Sequence, residues 1–260
     1  MSHETVNQHA AATVLSDSVQ KVIATQQEPI AAAARLLADS VSRGGVVQVF
    51  GTGHSRSFAM EIAGRAGGLV PANKIAITDL AFFGPRSIAE VMDPHLERND
   101  TLAAQLLDVH EIRPDDVFVI CSNSGGNGST VELARLVTER GHRLVAVTSM
   151  DHTTKITSRH PSGKRLFEFA DVVIDNCGAF GDAVLELPDA PDGSPQGRVL
   201  ATSTVTCAVI AQLMVTEVCG LLIEAGQPVP VLISANIPGG DEHNDRLRAA
   251  YADRVKQGAP

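Results

Sequence analysis

Asp116-Val117-Phe118-Val119-Ile120-Cys121-Ser122-Asn123-Ser124-Gly125-Gly126-Asn127-Gly128-Ser129 is the stretch that decides the fold. Its first part is a continuous apolar run, the texture of a strand buried on both faces. Its second part breaks at once into hydroxyl, amide and glycine residues. Ser129 and Glu132 then stand at the spacing of a capping box, which places a helix start near Ser129. A strand that hands over to a helix through a short polar turn is a building unit of a parallel α/β sheet.

Working outward, the same texture recurs. Val46–Phe50, Leu144–Thr148 and Val172–Ile174 read as strands, and Lys74–Thr78 as a weaker one. Between them lie helical patterns over Arg56–Arg65, Asp100–Val109 and Thr130–Arg140, then a long apolar helix from Val199 to Ala225. Continuous apolar strands alternating with helices predict a parallel sheet covered on both faces, with right-handed crossovers. Ahead of the sheet, Glu4–Gln27 is loosely helical. Pro29 fits the first turn of a second helix, which Gly44-Gly45 stops. These two helices read as an arm before the main fold and a candidate dimer contact. Asp189–Gly197, flanked or punctuated by Pro188, Pro191 and Pro195, reads as an exposed loop. The division expected is an arm over 1–34, a main α/β domain over 35–225 and an extension over 226–260.

Composition bounds the chemistry. The 260 residues are 44% hydrophobic but only 3% aromatic, so Ala, Val, Leu and Ile must build the core. A net charge of −9 argues against nucleic acid or an anionic membrane surface as partner. It leaves room for a small phosphorylated ligand, because backbone amides supply a local positive field. Cys121, Cys177, Cys207 and Cys219 form no C-x-x-C pair and read as reduced thiols of a cytoplasmic protein. The N-terminus lacks the basic start and apolar run of a signal peptide. The uncharged segment Val199–Thr216 carries too many Thr, Ser and Gln residues for lipid and reads as a core helix.

Two loops carry the chemistry. In Phe50-Gly51-Thr52-Gly53-His54-Ser55 a strand ends in glycines that let backbone approach a ligand, and a helix begins. A dinucleotide fingerprint would need glycine where Arg56 stands, and no Walker-type lysine follows any glycine loop. In the second loop Ser122, Asn123, Ser124 and Asn127 crowd a turn aimed at a helix start. Hydroxyls, amides and main-chain N–H groups together suit three phosphate oxygens without a lysine. Either loop alone reads equally well as an ordinary turn. Two such loops at the C-terminal ends of strands in one open sheet define a shared crevice.

These loops, with Ala170–Asp175 and Thr202-Ser203-Thr204, resemble the sugar isomerase (SIS) family of phosphosugar isomerases and phosphosugar-binding domains. The likeness spans roughly 35–225. Arg65-Ala66-Gly67-Gly68 and Pro238–Asn244 also look like a single-domain branch of that family. The resemblance implies a five-stranded parallel sheet between helices, with phosphate held by Ser122, Asn123 and Ser124. It places Gly53, His54, Ser55 and Ser203 nearby, and Asn127 where relatives often carry Thr. It implies dimers or larger homo-oligomers with shared sites; from the sequence itself, neither a glutamine-hydrolysing nor a DNA-binding domain is expected ahead of the sheet.

Isomerisation and β-elimination of a sugar phosphate both begin when a base removes the proton beside a carbonyl. Three residues are candidates. Glu61 lies seven residues beyond His54 on one helix face, although Arg65 four residues on could hold it in a salt bridge. Glu97 precedes the serine-loop strand, where its alternative role is to complement a helix dipole. His243 sits beside Asp241 and Glu242 in what reads as a glycine-rich acidic loop, where it serves as ring-opening acid–base or as a solvated residue. His110, His142, His152 and His160 read as surface or loop residues. No metal and no cofactor is implied. The expected function is processing of an (N-acetyl)hexosamine 6-phosphate-like substrate through C2 proton abstraction, as an isomerase or a dehydratase/lyase. The hexosamine preference comes from the resemblance alone. The alternative is a non-catalytic phosphosugar sensor.

Overall fold

The structure, a computed structural model, describes residues 6–256. Asn7 caps the first helix, its side-chain oxygen accepting the Ala10 amide at 2.9 Å. That helix is α1 (Gln8–Thr25), and α2 (Gln27–Ser42) follows with Pro29 in its first turn. The alternation then begins: β1 (Val47–Gly51), a 3-10 turn over Gly53–Ser55, α3 (Arg56–Ile62) and β2 (Ala72–Ile75). Two single helical turns, α4 (Asp79–Phe82) and α5 (Ile88–Val91), and a 3-10 turn at Leu96–Arg98 lead to α6 (Leu102–Asp108). Next come β3 (Val117–Cys121), α7 (Gly128–Glu139), β4 (Arg143–Thr148), the short α8 (Met150–Thr153) and β5 (Val172–Asp175). A hairpin of β6 (Ala183–Glu186) and β7 (Arg198–Ala201) precedes α9 (Ser203–Glu224) and α10 (Gly240–Ala249).

The five expected strands form one parallel sheet in the order β2-β1-β3-β4-β5. Alternate side chains divide the core in two. Val47, Val49, Val117, Val119, Val145 and Val147 face α2, α3 and α9, whereas Phe50, Phe118, Ile120, Leu144 and Ala146 face α6 and α7. Chain order reverses between β1 and β3, whose last residues Gly51 and Cys121 pair in register. That reversal is where an open α/β sheet leaves a crevice at its C-terminal edge.

Several expectations change. The boundary at residue 34 falls inside α2, whose Ile30, Ala33, Ala34 and Leu37 are buried in the core, so α2 is part of the main fold. Val199–Ala201 is strand rather than helix, because the chain turns back through the Asp189–Gly197 loop and pairs Ala183 with Ala201. Pro238–Asn244 contains a helix start rather than a loop, with Gly239 at a φ of 78° as its N-cap and His243 within α10. α7 begins at Gly128 and the capping box does not form: Ser129 donates to the Glu97 carbonyl at 2.7 Å, while Glu132 turns to Arg135 and His160. His110, His142 and His160 are buried, each tied to Asp79, the Asp116 carbonyl or Glu132 respectively.

α9 is long and apolar enough to cross a membrane by length and composition, with a mean hydropathy of 1.9. One of its faces, through Thr206, Cys207, Ile210, Met214 and Val218, is buried in the core beside α2 and α3.

At the opposite end of the sheet a polar knot ties the chain end down. Asp116 accepts from the Val46 amide at 2.9 Å, Gln48 at 3.0 Å and Arg254 at 2.6 Å. Asn73 of β2 donates to the Arg254 carbonyl at 3.0 Å and accepts from the Lys256 amide at 2.9 Å.

Candidate functional site

Gly51 ends β1 because the chain must fold back on itself there. A Cβ at Gly51 would lie 2.4 Å from the Ser55 carbonyl oxygen, inside contact distance. The turn that results exposes Gly53 and His54 and leaves Ser55 half-buried at the start of α3. β1 and β3 pair in register up to their last residues, Gly51 and Cys121, so the two loops leave adjacent strands at the same edge of the sheet. The two serine-bearing loops therefore open onto the same crevice.

The serine loop is fixed from below and from one side. Ser122 Oγ accepts the Gly125 amide at 3.1 Å, and Asn123 Oδ1 accepts from Asn176 at 3.0 Å. The segment after α8 clamps the loop's carbonyls, with Arg159 and Leu166 amides donating to Gly126 and Gly125, each at 2.8 Å. Gly125 has a φ of 59°, and a Cβ there would press on Thr148 and Thr153 at 3.1 Å. Ser124 is different. Its hydroxyl has no partner among the described residues, and the amides of Ser124, Gly126 and Asn127 meet no carbonyl there. These groups stand at the N-terminus of the 12-residue α7, which adds its dipole and unpaired N–H groups.

Glu97 comes to this loop from the 3-10 turn at 96–98. Its Oε1 accepts from Asn127 Nδ2 at 2.8 Å, and a Cβ on Gly53 would lie 4.0 Å from its Oε2. The turn is held tightly. Gly128 leaves no room for a Cβ, which would meet the Arg98 carbonyl oxygen at 2.2 Å. Glu97 also lines a cleft of about 360 Å³ with Gly53, Arg56, Thr78, Met92 and Asp93. It thus bridges the serine loop and the adjoining cleft.

The other candidates are engaged elsewhere. Glu61 forms the anticipated ion pair with Arg65 and accepts from Gln212 at 2.7 Å. Gln212 lies nine residues along α9 from Ser203, about 13 Å down the helix axis, so Glu61 sits well below the loops. Ser203 belongs to a closed junction. Its amide and hydroxyl donate to Asp182 at 2.9 and 2.8 Å, and Asp182 Oδ1 also accepts the Thr202 amide. His243 lies 3.2 Å from the Val231 carbonyl and 3.2 Å from Arg246, contacts that belong to the extension after α9.

Sequence reasoning passed over Arg159, whose guanidinium donates to Asn127 Oδ1 at 3.1 Å. It also passed over Asp182 and the Cys121–Cys207 pair, whose sulfurs are 3.7 Å apart beneath the site. Donation to Cys207, reinforced by burial, pushes the Cys121 thiol well up. Among the described residues no group of three or more His, Cys, Asp or Glu is placed to hold a metal.

Such a site, on such a sheet, defines an α/β protein of the SIS class, and the SIS domain matches residues 12–149. The chain belongs to the SIS domain family. It is 38% identical over 244 residues to the UPF0309 protein lmo0025 of Listeria monocytogenes, covering 93% of this chain and 94% of that protein. A UPF0309 protein of Streptomyces avermitilis is 37% identical over 242 residues, covering 91% and 92%. The fold is shared with a phosphoheptose isomerase from Francisella tularensis, at a TM-score of 0.50 and 14% identity, over 81% of this chain and 95% of that one.

Proposed function

We propose that the protein is a phosphosugar-processing enzyme whose phosphate subsite is the Ser122–Gly128 turn and whose base is Glu97. The observation that carries this reading is the pairing of an open anion cradle with a carboxylate on its rim. Ser124 and the loop amides are donors without acceptors among the described residues, and Glu97 is an acceptor held by Asn127 beside the turn. A phosphate seated in the cradle directs the sugar over Gly53, where no side chain intervenes.

The substrate proposed is an (N-acetyl)hexosamine 6-phosphate-like sugar, a preference that rests on the family alone. Glu97 removes the C2 proton of the open-chain form. Return of the proton to C1 gives the isomer, and loss of the C3 substituent gives the elimination product. Asn127, bound to Glu97 on one side and Arg159 on the other, orients the carboxylate. Ser122 and Asn123 shape the turn, and His54 and Ser55 close its near wall. Glu61 is proposed to brace α3 against α9 through Arg65 and Gln212, and His243 to act only if a neighbouring subunit's copy reaches the crevice. Val205, Leu213 and Ile223, exposed on α9, support a homo-oligomer.

Incubation with a panel of sugar 6-phosphates, followed for both ketose and ultraviolet-absorbing unsaturated product, tests the reading. Turnover that disappears in Glu97→Gln while phosphosugar binding persists is the expected result. Binding without turnover in the parent protein means a sensor and overturns the enzyme.

A further inference from the structure

A cavity beside the edge strand β2 is lined by no residue of the serine loop, and nothing in the proposed reaction uses it. It has a volume of about 420 Å³, in the range of small-ligand sites. Its floor is apolar, built from Leu69, Val70, Leu232 and Val255, with the rings of Phe83 and Tyr251 in its walls.

Its charge is anomalous. The chain carries a net charge of −9, yet Lys74, Arg248 and Lys256 all line this cavity and no acidic residue does. Lys74 is half-buried and has no carboxylate within ion-pair distance among the described residues. Gly64 leaves room for it, since a Cβ there would sit 3.2 Å from Lys74 Nζ. Lys256 Nζ stands 4.1 Å from the centre of the Phe83 ring and donates to the Val109 carbonyl. Arg248 has a loose contact of 3.6 Å with Asp245 on its own helix. Asp245 offsets Arg248 in part, Lys74 and Lys256 have no carboxylate partner among the described residues, and an anion between the three lowers their mutual repulsion.

The walls are also preformed. Leu69 and Val231 form an antiparallel bridge, and the Val70 amide donates to the Pro230 carbonyl at 2.8 Å. Asn73 grips the backbone on both sides of Val255, and the buried Arg254–Asp116 pair anchors the same segment. A cavity held open by the sheet edge on one side and a pinned chain on the other needs little rearrangement to receive a ligand.

We infer that this cavity is a second binding site, for a small amphipathic anion: an aromatic or aliphatic body against Phe83, Tyr251 and Leu232, with one acidic group between Lys74, Arg248 and Lys256. The site does not depend on the phosphosugar reading.

The test uses the fact that Tyr251 is the chain's one tyrosine and that the chain has no tryptophan. Anilinonaphthalene sulfonate is titrated into the full chain while tyrosine emission is followed, with uncharged phenylnaphthylamine as control. The expected result is saturable quenching of Tyr251, with the uncharged probe binding more than about tenfold more weakly. Lys74→Gln and Arg248→Gln, each checked for an unchanged thermal midpoint, weaken the anion by about tenfold apiece. Absence of Tyr251 quenching, equal binding of the two probes, or full affinity in both folded variants overturns the site.

Discussion

Two of the serine-bearing helix starts differ sharply: that of α7 is open and that of α9 is closed. At α7, Ser124 and its neighbouring amides have no acceptor among the described residues; at α9, Thr202 and Ser203 are saturated by Asp182. Both junctions present the same chemistry, unpaired N–H groups at the positive end of a helix. The difference is whether the fold supplies its own anion. The β6–β7 hairpin delivers a carboxylate to α9, and Asp182 takes a φ of 68° to reach it. At α7 the carboxylate at hand, Glu97, takes the Asn127 side chain and leaves the Ser124 hydroxyl and the loop amides without a partner among the described residues. What separates the proposed binding site from a structural cap here is therefore not the serine but what the rest of the chain places opposite it.

The comparison is open to attack in order of effect. Glu97→Gln removes the proposed base beside the open junction and is expected to lower turnover by about 10²–10⁴-fold, with phosphosugar affinity nearly intact by calorimetry. Ser124→Ala removes one donor to the phosphate, and affinity should fall by roughly 1–3 kcal/mol; an unchanged Kd would show that the cradle is not used. Gly51→Ala forces a Cβ to 2.4 Å from the Ser55 carbonyl, so urea denaturation should register a loss of about 1–3 kcal/mol. Asp182→Gly keeps the backbone conformation and deletes the internal anion, at a cost of about 1 kcal/mol of stability. In that variant inorganic phosphate should bind at two places rather than one, and a single site would mean that the α9 start cannot accept an external anion.

A smaller effect is read in acid. Glu132 lies on α7 and holds His160 at 2.9 Å in the segment that clamps the serine loop. Its hydrogen bonds with Arg135, then with His160, keep its carboxyl below the ordinary 4.5 despite the opposing effect of burial. A lowered folded value means that its contribution is complete above the unfolded value and fades as pH falls through the folded one. Glu132→Gln should therefore lose stability at pH 7, and its deficit against the parent protein should shrink as the pH is taken down below 4.5.

The sheet was legible because its signals are local. Five apolar runs ending in polar turns name five parallel strands, and both ligand loops follow from where those runs break. Glu97 was legible as a candidate, but its partner Asn127 lies 30 residues away and appears only when 96–98 docks on α7. Asp182 was invisible, since a single aspartate in a glycine-rich stretch gives no periodic signal and its role depends on the hairpin. α10 was missed because Asp241, Glu242 and His243 have no apolar stripe, and glycines preceding a helix look like any loop. A sharper clue was available in Gln48: a polar side chain amid a buried apolar strand needs a partner, and Asp116 and Arg254 form the knot it belongs to.

That knot has a consequence for how the polypeptide is made. Asp116 and Arg254 are 138 residues apart. At roughly 5–20 residues per second, synthesis runs for about 7–28 seconds after Asp116 is added before its counter-ion exists. During that interval the base of the sheet cannot close around the carboxylate without stranding a charge. Final consolidation of the central strands thereby waits for Arg254, and an emerging chain keeps its sheet base hydrated until α10 and the segment behind it have been laid down.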